Sequence, residues 1–481
     1  MAETAFPSLE IRRDSLTPHG AFAQAQEAFL RPDAQTVRQL DDLLRQHNVG
    51  VVAHFYMDPE LQGVLSACAW PHIHISDSLV MADRALRMAQ SGVRAICVAG
   101  VDFMTENVRA VLDYGGFSAI PVYRLAVAPI GCSLAASAET PAYRAFLQRA
   151  ARTPRSLHVV YINTSLRTKA EANALVPTLT CTSGNVVQTI LQAAAQIDGV
   201  HIWFGPDTYM GHNLQTLLAA YARMPVDAIH ALHPAHTAAT LTALAARFHP
   251  FEQGNCIVHH LFGHEVVARV RRELPDALYT AHLEVPGEMF ALAAQAEREG
   301  RGVVGSTSNI LEFIGQQVDG AVLRPGAQQI QVLLGTEAGM ITSIVRGVQA
   351  RLARSHREDV VVEIVFPVAA EAITRTDDAL GIVPGASGEG CSVEGGCATC
   401  PYMRMNHLDG LIDVVRRIGT GADDLAGFLP TANPPDATGQ PVAARGTVPI
   451  LHMRAFQATG RLPDALVAAV IGGNAPETYR I

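Results

Sequence analysis

The sequence predicts an α/β protein with largely parallel sheets, built from three similar α/β units. Three observations predict it. Apolar runs alternate with helical periods along most of the chain. A strand-end and helix-start pattern recurs three times at nearly constant spacing. The composition is that of a folded globular chain: 481 residues, 49% hydrophobic and 17% charged, enough for several cores.

The strands come first. Val49–Tyr56 reads as a buried strand, followed by an amphipathic helix at Ser78–Ala89 and a second strand at Arg94–Ala99. Further strands are predicted at His158–Asn163, His201–Phe204, Asn255–His259, Gly302–Val304, Gln331–Leu334 and Val360–Phe366. Helical stretches separate them, which favours parallel pairing. Residues 1–37 read as an N-terminal extension, 38–130, 131–254 and 255–370 as the three domains, and 371–481 as a C-terminal segment. Asp423–Gly446, rich in Pro, Gly and Ala, reads as a long loop, with helices returning at Val448–Phe456 and Asp464–Val470.

The repeat lies in how strands end. Ala53-His54-Phe55-Tyr56, Tyr161-Ile162-Asn163-Thr164 and Ala281-His282-Leu283-Glu284 each close a strand in polar or aromatic groups. Hydroxyl-rich helix starts follow: Ser78, Ser183 and Ser306-Thr307, at separations of 24, 22 and 24 residues. A further strand in each unit ends near Gly100, Gly205 and Gly335. In parallel α/β sheets, strand ends and helix starts share one edge, where ligands bind. Three such edges turned inward would surround one central site.

The residue types at those edges suggest chemistry. Helix starts offer backbone N–H groups and hydroxyls to anions, although Ser78, Ser183 and Ser306 taken singly read as plain N-caps. His54, Tyr56, Tyr161, Asn163, His282 and Glu284 supply donors, acceptors and an acid/base pair. A carboxylate closing an apolar strand needs partners or a raised pKa, which suits proton transfer. His259, His260 and His264 are read as structural.

Eight cysteines (Cys68, Cys97, Cys132, Cys181, Cys256, Cys391, Cys397 and Cys400) are too sparse for a disulfide scaffold in a chain this long. Cys397-Ala-Thr-Cys400-Pro401, with Cys391 nearby in a glycine-rich stretch, suits a metal loop or a redox pair. Cys132 opens a helical stretch and Cys256 begins an expected strand; singly, each reads as core.

Charge and hydropathy exclude other classes. The formal net charge of −9 argues against a general nucleic-acid binder. No apolar run approaches the ~20 residues that span a bilayer, and no secretory leader is visible. A cytoplasmic protein is the expectation.

Taken together, AHFYMDPELQ, SDSLVMA, GVDFMTE, GCSLAAS, VYINTSLRTKA, CTSGNVV, GNCIVHHLF, AHLE, GSTSNI, GTEAGM and CPYMRMN resemble the quinolinate synthase (quinolinate synthetase A) family over residues 51–408. The resemblance implies three αβα domains about a pseudo-threefold axis, with the active site at the centre. It implies a [4Fe–4S] cluster, one per chain, held by Cys132, Cys256 and Cys400, with one iron left open as a Lewis acid. The implied transferase reaction condenses iminoaspartate with dihydroxyacetone phosphate to quinolinate, phosphate and water in NAD biosynthesis. Tyr56, Tyr161 and Glu284 would move protons. His54, Ser78, Asn163, Ser183, His282, Ser306 and Thr307 would bind and orient substrate. L-Aspartate oxidase is the implied source of iminoaspartate. Cys391 and Cys397 are left over, able to pair with each other or with Cys400. The family's HPEC-like segment stands here as His282-Leu283-Glu284-Val285, and Met57 replaces its glutamine. A zinc-dependent aldolase or hydrolase using the C-x-x-C loop, and an iron–sulfur redox sensor, are the alternatives.

Overall fold

The computed structural model describes residues 5–256, 258–259, 262–367, 382–384, 390–392, 400–421, 423–433, 435, 439 and 441–473. The chain forms two compact units. Unit 1 comprises residues 1–100, 120–130 and 257–429; unit 2 comprises 101–119, 131–256 and 430–481.

In unit 1, β1 (Ser8–Ile11) and β2 (Leu16–His19) open the chain. The helix Ala34–His47 follows, capped by Asp33 and stopped by Asn48, whose φ of 52° turns the chain in the left-handed region. That stop launches β3 (Val49–His54), a strand buried at every position, as its near-continuous apolar run predicts. β4 (Ile73–Ser76), β5 (Ala95–Ala99) and β6 (Val122–Arg124) complete a parallel sheet in the order β4-β3-β5-β6.

Unit 2 repeats the arrangement. β7 (Ser156–Tyr161), β8 (Thr178–Cys181), β9 (His201–Gly205) and β10 (Phe248–Pro250) form the parallel sheet β8-β7-β9-β10. Back in unit 1, β11 (Leu278–His282), β12 (Gly302–Gly305), β13 (Gln328–Gly335) and β14 (Val360–Val365) pair in parallel as β12-β11-β13-β14. This third sheet is extended on its β14 side by β1 and β2, both antiparallel. The first 37 residues therefore supply two strands of a six-stranded sheet.

All three sheets share one order. The first strand lies inside, the second pairs on one side of it, and the third and fourth continue on the other. In such sheets the chain departs in opposite directions from the first and third strands, leaving a crevice at their carboxyl ends. His54, Tyr161 and His282 are the last residues of the three first strands. Gly100 follows β5, while Gly205 and Gly335 close β9 and β13. At Gly335 a Cβ would lie 2.1 Å from the Thr280 carbonyl oxygen, so only glycine fits there.

The cores follow the sheets. In unit 1 one cluster joins Val332, Leu334, Val362 and Ile364 to Leu9 and Ile11, and a second joins Val49, Val51 and Cys97 to Leu411 and Val414 of the helix Leu408–Thr420. In unit 2 Tyr143, Phe146, Trp203 and Phe251 form a core rich in edge-to-face ring contacts.

Three sequence expectations need correction. Of the predicted strand Asn255–His259, the described residues Asn255, Cys256, Val258 and His259 are not in a strand, and Ile257 lies outside the described residues. The loop predicted to end at Gly446 gives way earlier, because the helix Val442–Thr459 is already under way there. The last helix, Asp464–Gly472, runs two residues beyond Val470. The side chain of Cys391 and all of Cys397 lie outside the described residues.

Candidate active site

The strand-end edges of unit 1 carry two copies of one local device. His54 closes β3, and its Nδ1 accepts the backbone N–H of Tyr56 at 3.2 Å. His282 closes β11, and its Nδ1 accepts the backbone N–H of Glu284 at 3.4 Å. In both, an accepting Nδ1 fixes the neutral tautomer with its proton on Nε2. Both rings are buried, and that burial pushes each imidazole down to about 4; Glu284 pulls the other way. Each histidine is thus a neutral donor, and each turn presents an ionisable side chain, Tyr56 or Glu284, two positions on.

Glu284 is enclosed by imidazoles. Its carboxylate oxygens lie 3.2 Å from His259 Nδ1 and 3.5 Å from His282 Nδ1. The two rings stack with centroids 5.2 Å apart, tilted by only 6°. His259, expected to be structural, therefore stands against the candidate base. The loop geometry that replaces the predicted strand is what brings it there.

The Tyr56 hydroxyl lies 3.2 Å from both the Thr307 and Thr336 hydroxyls, and its ring packs edge-on against His54 at 4.7 Å. Burial, then the carboxylates Glu337 and Glu284, hold the phenol above its ordinary value. Thr307 begins the helix Thr307–Val322, which Ser306 caps reciprocally with Asn309. Ser306 is thus the N-cap that the sequence suggests. Ser78 is not: Asp77 caps its helix, accepting the Leu79 and Val80 N–H groups at 3.0 Å each, and Ser78 is the buried first residue.

Sequence reasoning missed Glu337. It follows the end of β13, is almost wholly buried, and is held well above the usual carboxylate range by that burial, with Glu284 adding to the shift. Its Oε1 accepts the backbone N–H of Cys400 at 2.5 Å. Asn406, six residues on, accepts the Gly100 N–H at 3.0 Å. The segment carrying Cys400 is thereby tied to the ends of β13 and β5. The signal for Glu337 was present: a carboxylate just past an apolar strand, the same pattern that singled out Glu284.

In unit 2, Tyr161 closes β7 and Asn163 lies in the turn beyond it. The Thr164 hydroxyl donates to the Tyr161 carbonyl at 3.1 Å. Ser183 is not an N-cap; it lies within the turn leading to Asn185, whose Oδ1 accepts the Thr182 N–H at 2.8 Å. Cys132 occupies the N-cap position of the short helix Ser133–Ser137. Cys256 lies in a loop, not at a strand start. The Ser133 hydroxyl donates to the Asn255 carbonyl at 3.2 Å, so the loops carrying the two cysteines meet. Both residues are half-buried. Thiol donors of this kind suit iron–sulfur groups or zinc and do not suit magnesium or calcium.

A family model described as quinolinate synthetase A protein matches residues 38–420. The chain belongs to the quinolinate synthetase A family. It is 51% identical to a chloroplastic quinolinate synthase of Nicotiana tabacum and to one of Arabidopsis thaliana, in each case over 97% of this chain and 67% of the relative. It is 26% identical to a quinolinate synthase of Prochlorococcus marinus (strain MIT 9303), over 77% of this chain and 80% of the relative. The chain spans about two thirds of the length of the plant relatives. Because those plant enzymes are named chloroplastic, the cytoplasmic expectation is withdrawn. Among the described residues no helix is long and apolar enough to cross a membrane.

Proposed function

We propose that this chain is a quinolinate synthase, condensing iminoaspartate with dihydroxyacetone phosphate to quinolinate, phosphate and water. The observation that carries the reading is the half identity to quinolinate synthases over nearly the whole chain. The residue chemistry supports it. Both substrates are anions, and Ser78, Ser183, Ser306 and Thr307 offer hydroxyls at or near helix starts, where backbone N–H groups favour anions. His54 and His282, kept neutral by burial, donate through Nε2 without adding charge. Asn163 orients substrate.

Carbon–carbon joining and ring closure need protons removed and returned. Glu284 is the base, with the His259 ring nitrogen 3.2 Å from its carboxylate. Tyr56 acts as a proton donor: its raised pKa keeps the hydroxyl protonated, and the Thr307 and Thr336 hydroxyls aim it. Tyr161 serves the same purpose.

Cys132, Cys256 and Cys400 would hold a [4Fe–4S] cluster. The half-buried thiols and the hydrogen-bonded Cys132 and Cys256 loops fit such a group. When bound, its open iron supplies Lewis acidity toward a substrate hydroxyl or carboxylate. Iminoaspartate hydrolyses in water, so an aspartate-oxidising enzyme such as L-aspartate oxidase is its source.

The test is anaerobic reconstitution followed by supply of freshly made iminoaspartate and dihydroxyacetone phosphate. Quinolinate should form, and the protein should hold about four irons and four acid-labile sulfides per chain. Replacing Cys132, Cys256 or Cys400 singly with Ala should abolish turnover and strip most of the iron. Stoichiometric zinc without labile sulfide would refute the assignment.

A further inference from the structure

A buried lysine of unit 2, with a buried carboxylate at the start of its helix, has no part in the chemistry above. Lys169 lies in the first turn of the helix Leu166–Leu175 and is fully buried. Its Nζ donates to the Ile162 carbonyl at 3.1 Å and also to the Thr164 carbonyl. Those two carbonyls flank Asn163, and both residues are buried from water. Glu106, from the helix Asp102–Tyr114, is tied to the start of the same helix: its Oε2 accepts the Leu166 N–H at 2.8 Å. Burial disfavours both charges, lowering the lysine and raising the carboxyl, and each group draws the other back toward its charged form. A desolvated ammonium is retained where its directed donors do something that an apolar side chain cannot. Here they hold a turn that has no regular secondary structure of its own.

The second half of the observation lies beyond residue 420, where the family match ends. Asn433 donates to Glu106 Oε1 at 3.4 Å. The helix Val442–Thr459 then comes so close to the helix Leu166–Leu175 that a Cβ at Gly446 would sit 2.2 Å from the Leu166 carbonyl oxygen. The C-terminal segment thus reaches the Glu106 carboxylate and the first residue of the helix that bears the lysine.

We propose that Lys169 is a positioning residue that fixes the Ile162–Asn163–Thr164 turn for substrate binding, with Glu106 anchoring the start of the lysine's helix and the C-terminal segment, through Asn433, supporting that carboxylate. This rests on the quinolinate synthase reading, which makes Asn163 a substrate contact. The role is one of orientation, so it belongs to substrate affinity more than to the chemical step.

The experiment uses full-length, cluster-loaded protein. It compares wild type with Lys169→Met, Glu106→Gln and Asn433→Ala, and with His452→Gln as a control. His452 pins the far end of β8, where its Nδ1 meets the Thr178 carbonyl at 2.9 Å. Two readouts are taken: KM against kcat, and amide hydrogen exchange in peptides covering residues 161–166. Lys169→Met should raise KM about tenfold with kcat within about threefold of wild type, the mark of lost ground-state positioning. Glu106→Gln should follow in the same direction, and Asn433→Ala should raise KM about twofold. Exchange in the turn should quicken in the same order. His452→Gln should lower the melting temperature and move neither readout. Should Lys169→Met fail to fold, Asn433→Ala, a change at a half-buried site, decides: wild-type KM and wild-type exchange overturn the proposal. It also falls if His452→Gln shifts both readouts as far as Lys169→Met. If wild type makes no quinolinate, the functional reading fails, and the exchange comparison still decides whether the lysine holds the turn.

Discussion

The β3 and β11 edges of unit 1 and the β7 edge of unit 2 are built to the same strand order, yet they carry different chemistry. In unit 1 the first strands end in buried neutral histidines, each folded back on the backbone of Tyr56 or Glu284, the proposed proton-transfer residues. In unit 2 the first strand ends in Tyr161 and an asparagine turn, and the buried charges, Lys169 and Glu106, pin backbone there. The proposed roles give one topology two tasks two places past the strand: proton transfer at Tyr56 and Glu284, and orientation of substrate at Asn163, with Tyr161 adding a proton donor at the strand end itself. What separates the tasks is the residue two places past the strand and the groups that face it.

The largest test of that contrast sets Glu284→Gln against Asn163→Ala. A general base contributes on the order of a hundred- to ten-thousandfold to rate. Glu284→Gln should lower kcat by that much with KM little changed. Asn163→Ala should raise KM about tenfold and leave kcat within about threefold. Steady-state kinetics on enzyme with matched iron content checks both. A kcat collapse in Asn163→Ala equal to that of Glu284→Gln would erase the distinction between the edges.

Much of this was legible in the sequence, for a physical reason. Strand ends and helix starts in parallel sheets are set by local signals, so His54, Tyr161 and His282 fall at the ends of β3, β7 and β11 as the spacing indicated. What escaped was tertiary. Cys256-Ile257-Val258-His259 reads as a strand because a short apolar run reports burial, and Val258 and His259 are indeed buried, but outside any strand. That placement puts His259 against Glu284, and no periodicity announces such a contact. Asp77 and Ser78 are both cap-forming residues in adjacent positions. Only the coordinates show that the Asp77 carboxylate takes the two N–H groups and leaves Ser78 for another use. Glu337 carried the same pattern as Glu284, but its partner, the Cys400 backbone, is 63 residues away.

A smaller effect separates the units on acidification. His54 and His282 in unit 1 are held near 4, and His158 in unit 2 near 3, in each case chiefly by burial. Their folded values lie below the unfolded value of about 6.5. The unfolded chain therefore binds protons that the fold refuses. The stability these groups contribute is fully present above pH 6.5 and is lost as pH falls toward 4 and then 3. At pH 5 each histidine should have removed about 1–2 kcal/mol relative to pH 7. Thermal unfolding followed from pH 7.5 to 5 should show the decline. Replacing His158, which contacts the Tyr143 hydroxyl at 2.8 Å, with Gln should flatten the share belonging to unit 2. A melting temperature independent of pH over that range would mean that these rings protonate freely in the fold.

The finest discrimination lies between Ser306 and Ser183, two serines in matching places of different sheets. Ser306 caps its helix: its hydroxyl accepts the Asn309 N–H, and the Asn309 side chain returns the bond to the Ser306 N–H. Removing such a cap costs about 1 kcal/mol, which in a unit of this size lowers the melting temperature by about 2–4 °C. Ser183 caps nothing, because Asn185 occupies the N-cap position of its helix. Ser306→Ala should therefore both weaken substrate binding and lower the melting temperature, whereas Ser183→Ala should weaken binding alone. Calorimetry beside KM measurements reads both. An equal loss of stability in the two variants would show that the turn before Asn185 depends on its serine as the helix after Ser306 does, and the two edges would then differ less than their hydrogen bonds imply.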